Sequence, residues 1–272
     1  MQNRLLTLTV LLTLFSTVRG QSHSNRVSTR EQNQDLSTEG MRNLRSEITT
    51  PSPEVRPLSS QGAPDGLVSV TSLAAPRAAR KAYERASREA GRNKPNLARV
   101  AAFLETAVAL YPSFAGAWYC MGRVRLALND ADGARRAFEA ALSADPRFPY
   151  AYPPLAAMEL RARHYAEAAK LADLALTLDY KLMDAHYCRA LANTILRRHE
   201  EARQSIQTIL DSHNERQYPG VHAMLAVMLI TESNFEAAAN EYRRFLDFDP
   251  GSPAAAAARD FLSSGHAAAL VK

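Results

Sequence analysis

The chain has 272 residues, 46% hydrophobic and 22% charged, with 33 Lys and Arg against 28 Asp and Glu and a formal net charge of +5. So large an apolar share excludes a chain too polar to build a core, and two cysteines in this length exclude a disulfide-stapled scaffold. The basic excess is slight: it drops to +3 once residues 1–20, which hold Arg4, Arg19 and no acid, are set aside.

Residues 1–20 read as a secretory signal peptide: Arg4, the apolar run Leu5 to Val18, then Val18-Arg19-Gly20 with small Gly20 at the cleavage position. The run falls short of the roughly 20 residues a bilayer span needs. This predicts an exported protein, periplasmic or secreted; the alternative is a membrane tether through an uncleaved signal anchor. Residues 21–65 are dominated by Ser, Thr, Gln, Pro and mixed charge, with few large apolar side chains to offset the entropy of ordering. They predict a disordered polar linker. Residues 66–75 form a short apolar linker, with Gly66 to Leu73 either a simple connection or a cover for the helices that follow.

Helical periodicity runs over residues 76–262, and a flexible tail is expected over 263–272. The clearest stretch is Trp118 to Pro146, two amphipathic helices separated by the polar turn Asn129-Asp130. In its second helix Ala134, Phe138 and Ala141, spaced four and three apart, share one face. Asp145-Pro146 ends it, because proline cannot continue a helix. Ala134 recurs as Ala168 and Ala202 at intervals of 34 residues, and as Ala238 after 36. Gly122 recurs as Ala156, Ala190 and Ala226; Trp118 recurs as Tyr152, His186 and His222. Phe138 gives way to Ala172 and Ile206 and returns as Tyr242, while Asp145-Pro146 returns as Asp249-Pro250. One such pair cannot bury its apolar face alone, so successive pairs must stack.

On these residues the chain resembles the tetratricopeptide repeat family over roughly residues 76 to 250. The resemblance implies an all-α, right-handed α-solenoid of stacked antiparallel helix pairs, about five units with a C-terminal capping helix over Ser252 to Leu262. Asn96 to Tyr111 supplies the second helix of a degenerate first unit, and residues 211–218 a longer loop holding the two-residue insertion. Ser233-x-x-Glu236 reads as a capping box opening the last paired helix.

No phosphate loop, nucleophile elbow or zinc-spaced cysteine pair is present. Arg197-Arg198-His199-Glu200-Glu201-Ala202-Arg203 fails as a metalloprotease helix, because Arg203 stands where a second histidine is required. His186 and His222 are expected to fill the layer that Trp118 and Tyr152 fill elsewhere, with a shared metal as the lesser alternative. The reading is therefore a non-catalytic protein without metal, cofactor or small-molecule substrate. Cys120 and Cys188, two periods apart, are expected to stay free thiols.

The remaining candidate is surface. The family's concave groove implies Tyr119, Arg123 and Leu126 from one unit, then Leu160, then Tyr187, Leu191 and Thr194, then Val227 and Ile230, with Tyr150 and Asp184 at the rim. That lining is mostly apolar, which points to a protein partner, a peptide or amphipathic helix, or to self-cover by the linker. A second candidate is the basic patch Arg77, Arg80, Lys81, Arg85, Arg88, Arg92, Lys94 and Arg99, offset only by Glu84 and Glu89. It is a solvated face or an attachment to an anionic envelope surface; nucleic acid is the weakest partner, Tyr83 being the one aromatic among those charges. The leading expectation is an exported interaction scaffold; the alternative is an envelope-assembly or surface-associated component held by its basic first repeat, with an unrecognised enzyme third.

Overall fold

The computed structural model describes residues 74–92 and 94–263. The signal peptide, the polar linker, most of the apolar linker and nearly all of the tail lie outside the described residues. Eleven α-helices and no strand occur among the described residues, and no helix there is long and apolar enough to cross a membrane.

The helices fall into two compact bodies that divide between Ala151 and Tyr152. The first holds α1 (Arg77–Ala90), α2 (Leu97–Leu110), α3 (Ala115–Ala127), α4 (Ala131–Ala144) and a 3-10 turn, Pro149–Ala151. The second holds α5 (Tyr152–Arg161), α6 (Tyr165–Leu178), α7 (Met183–Ile195), α8 (His199–Asp211), α9 (Gly220–Thr231), α10 (Phe235–Phe248) and α11 (Pro253–Ser263). Within each body the helices pack as consecutive pairs, α1 on α2, α3 on α4, α5 on α6, α7 on α8 and α9 on α10, with α11 laid on α10.

Close approach within a pair depends on small residues. A Cβ on Gly122 of α3 would lie 2.5 Å from Cε1 of Phe138 on α4, so any side chain there would force the ring to shift. Ala134, Phe138 and Ala141 are wholly buried beneath it. In the second body Ala156, Ala190 and Ala226 take the glycine's place, and Ala168, Ala202, Ala238 and Tyr242 are fully covered. Trp118 is half-buried and fixed by its indole N–H, which donates to the Pro112 carbonyl at 2.7 Å.

The turn inside each of the four pairs from α3–α4 to α9–α10 uses left-handed backbone without glycine. Asn129, Arg163, Arg197 and Ser233, at matching places in four successive units, have φ of 60°, 64°, 59° and 62°. Each lets the next amide reach back across the turn: Asp130 N–H to Arg125 C=O, His164 to Glu159, Arg198 to Asn193 and Asn234 to Leu229, all at 2.9 Å. These bonds satisfy helix-end carbonyls that have no partner within the helix. The capping box at Ser233 is corrected here. Ser233 occupies the left-handed position, and the N-cap is Asn234, whose Oδ1 accepts from Ala237 N–H at 3.3 Å. In the first body Asp130 does the same for α4, accepting from Gly133 N–H at 2.8 Å.

Between pairs, Asp145 and Asp179 close α4 and α6 in extended backbone. Their carboxylates accept from Arg147 N–H at 3.0 Å and Lys181 N–H at 2.9 Å, turning the chain toward the next unit. Pro146 and Pro250 stand exposed just past α4 and α10. α5 is the shortest helix at 10 residues, since the chain spends Pro149–Ala151 in the 3-10 turn before it.

Candidate partner-binding site

In the first body the chain gathers three aromatic rings around Tyr119 on α3. The Asp145 turn carries Phe148 and Tyr150 back over that helix. Tyr119 lies 5.7 Å from Phe148, 6.3 Å from Tyr150 and 5.9 Å from Phe138 between ring centroids, and Phe148 lies 5.4 Å from Tyr150. Such separations and tilts suit aromatic quadrupoles. One turn further along α3, Arg123 donates from Nη1 to the Tyr119 hydroxyl at 3.1 Å, its guanidinium carbon 6.0 Å from that ring's centroid. Tyr119, Arg123, Leu126 and Tyr150 are all half-buried, whereas Phe138 and Phe148 are buried beneath them. The result is an apolar platform with a cation at one side and hydroxyls at its edge. Phe148 was not singled out from sequence; its signal is the Asp145-Pro146-Arg147-Phe148-Pro149-Tyr150 loop, which the turn carboxylate folds onto α3.

The second body departs from the expected groove. Leu160, Leu191, Thr194, Val227 and Ile230 are buried, none more than 6% exposed. They do not line an open surface. The first helices of the units pack directly on one another, α7 on both α5 and α9, and draw the four apolar side chains into one continuous cluster. The Thr194 hydroxyl donates to Ala190 C=O at 2.7 Å, within its own helix. What stays near the surface is a smaller group: Asp184 is exposed and accepts from the Tyr218 hydroxyl, while half-buried Tyr187 lies 5.4 Å from the Tyr218 ring. Tyr218 escaped sequence reasoning because it sits in the irregular loop ahead of α9, where the 34-residue register is lost.

The basic residues separate into groups. Arg77, Arg80, Lys81, Arg85 and Arg88 are exposed along α1, with Glu84 exposed among them. Arg92 pairs with Glu89 at 2.9 Å, Lys94 lies in the following loop, and Arg99 lies on α2, where its N–H is capped by Asn96.

Both layer histidines are engaged inside the second body. His186 donates from Nε2 to Tyr180 C=O at 2.8 Å, and its buried Nδ1 has no partner among the described residues. Burial lowers its pKa below the ordinary 6.5, with Arg189 adding to the effect and the Tyr180 bond opposing it. A neutral ring with its proton on Nε2 fits this site, because protonating Nδ1 would bury an N–H without an acceptor. His222 donates from Nδ1 to Glu241 at 2.7 Å and stacks on Phe248. Among the described residues no three His, Cys, Asp or Glu side chains converge as a metal site. Both cysteines are buried free thiols; burial pushes the Cys188 thiol well above its ordinary range, with Asp184 nearby acting the same way.

The tetratricopeptide repeat model matches residues 115–148, the segment that carries α3, α4 and the turn to Phe148. No curated protein matches the chain. Among solved structures, MamA from Desulfovibrio magneticus is similar at 18% identity, with 65% of this chain and 97% of that chain covered and a TM-score of 0.53; a double mutant of MamA gives the same values. YrrB, described as a TPR protein with an unusual peptide-binding site, is similar at 20% identity over 60% of this chain and 84% of its own, with a TM-score of 0.49. The MamA likeness supports an all-α, tetratricopeptide-like fold built of repeated helix pairs.

Proposed function

We propose that the protein is an exported, non-catalytic interaction scaffold that holds a segment of a protein partner against the Tyr119, Arg123 and Tyr150 platform. The observation that carries this reading is the platform itself, half-buried aromatic rings beside a guanidinium on a unit that matches the tetratricopeptide repeat. Aromatic side chains of this kind contribute large contact area for little lost side-chain freedom, and arginine adds directed hydrogen bonds. The recognised segment is a peptide or amphipathic helix. Leu126 extends the apolar strip along α3, and Asp184 with Tyr187 offers a smaller patch on the second body. Export rests on the sequence of residues 1–20 and predicts a mature protein whose first residue is Gln21, which N-terminal sequencing reads directly.

The test is affinity capture from envelope extract with the full chain, wild type beside Arg123→Glu and Tyr150→Ala. Loss of one captured partner by both variants, with unchanged melting, supports the platform; equal capture by all three chains refutes it. A second reading draws on the five exposed cations of α1, which suit attachment to an anionic surface. Such binding should weaken steeply as salt rises, and salt-insensitive association would refute it.

A further inference from the structure

A second concave feature lies on the first body, roughly a third of a turn round α3 from Tyr119 and Arg123. Trp118 and Met121 of α3, Val108 of α2, and Ala137 and Ala140 of α4 wall an open crevice of about 570 Å³. That volume is within the range of ligand pockets, roughly 300–1,000 Å³. It accommodates a bulky side chain together with the backbone that carries it.

The apolar lining is not imposed by the repeat. Two periods on, the positions of Trp118, Met121, Ala137 and Ala140 are taken by His186, Arg189, Ser205 and Thr208. There Arg189 donates to Gln204 at 3.2 Å and pairs with Asp173 at 3.6 Å, so polar side chains bridge neighbouring helices. In the first body one such bridge, Arg125 of α3 to Glu105 of α2, stands at the crevice beside an apolar wall, and the charged rim is unequal. Arg125 is held by Glu105 and Asp130, each at 3.2 Å. Arg136, exposed on α4, engages none of the described residues. The uncompensated charge beside the apolar wall is therefore positive.

The geometry points to a second binding site in this crevice, for a partner peptide in which a large apolar residue stands next to a carboxylate. The apolar side chain enters against Trp118 and Met121, and the carboxylate pairs with Arg136, whose planar fork suits two parallel hydrogen bonds. The site is independent of the Tyr119 platform.

Trp118 is the single tryptophan of the chain, so its emission reports on the crevice directly. The probe is an array of acetylated hexapeptides with Leu or Phe beside Asp or Glu, matched by peptides carrying Asn or Gln, or Ala for the apolar residue. Titrated into the full chain, the acidic apolar peptides should shift Trp118 emission saturably, and their amide and alanine counterparts should bind about tenfold or more weakly. Arg136→Glu should lose the same factor without altering the melt, Ala140→Phe should abolish binding by filling the space, and Tyr150→Ala should leave it unchanged. Silence across the array, equal binding of amide peptides, or full binding by Arg136→Glu overturns the proposal.

Discussion

Gly122 and Phe138 show how much a single position carries. A methyl group at Gly122 would meet a ring that is fully buried and has nowhere to turn. Gly122→Ala should therefore destabilise the first body by about 1–2 kcal/mol, the cost of overpacking outweighing the gain in helix propensity. Adding Phe138→Leu should recover part of the loss in a double-mutant cycle read by urea unfolding. Strict additivity would mean that the contact does not matter. This pair was legible in the sequence, since a small residue and an aromatic at fixed places imply close approach. Leu191 was not. It sits on a helix with apolar residues on several faces, where spacing alone cannot tell groove from core. Wholly buried in the structure, it should cost about 3–5 kcal/mol when replaced by Glu, through lost packing and a buried acid.

His186 gives a pH dependence of known sign. Its folded pKa lies below the ordinary 6.5, so the unfolded chain binds the proton more readily. The stability associated with the neutral ring is full above pH 6.5 and is lost as pH falls through the folded pKa. His186→Phe should flatten the slope of melting temperature against pH on the acid side; an unchanged slope would place the effect elsewhere.

At the scale of the element, the recurring left-handed turn fixes where the four pairs from α3–α4 onward fold back. Arg163, Arg197 and Ser233 hold a conformation that glycine adopts without a Cβ penalty. Arg197→Gly should stabilise by about 0.5–1 kcal/mol, while Asn129→Gly should change little, because asparagine tolerates this region. Asp130→Ala should cost about 1 kcal/mol by removing the cap of α4. Thermal melts of the three variants check the order. The position of these turns could be read from the sequence, through Asn129-Asp130 and the 34-residue period. The left-handed residue could not be assigned, since Arg and Ser have no preference for it, and so Ser233 was mistaken for the cap that Asn234 provides.

At the scale of the molecule, periodicity in Ala, Gly and aromatic residues was enough to give an all-α chain of helix pairs. It did not give the division at Ala151, where a 3-10 turn precedes a short α5 and the helices resolve into two bodies although the 34-residue period continues. Nor did it give the difference between them. The second body takes its groove positions into the core, while the first keeps half-buried aromatics beside Arg123. Sequence patterns fix which residues share a helix face, but how far neighbouring helices close over that face depends on side-chain volumes summed across three helices. The candidate site consequently shrinks to Tyr119, Arg123, Leu126 and Tyr150 with the buried rings beneath them.

The most direct measurement places a photo-crosslinking amino acid at Tyr150 in the full chain, with the same group at exposed Lys170 as the control, and irradiates living cells. One discrete adduct is expected from position 150, absent from position 170 and lost when Arg123→Glu is added. No adduct at 150, or the same adducts from both positions, would contradict a partner site on the first body.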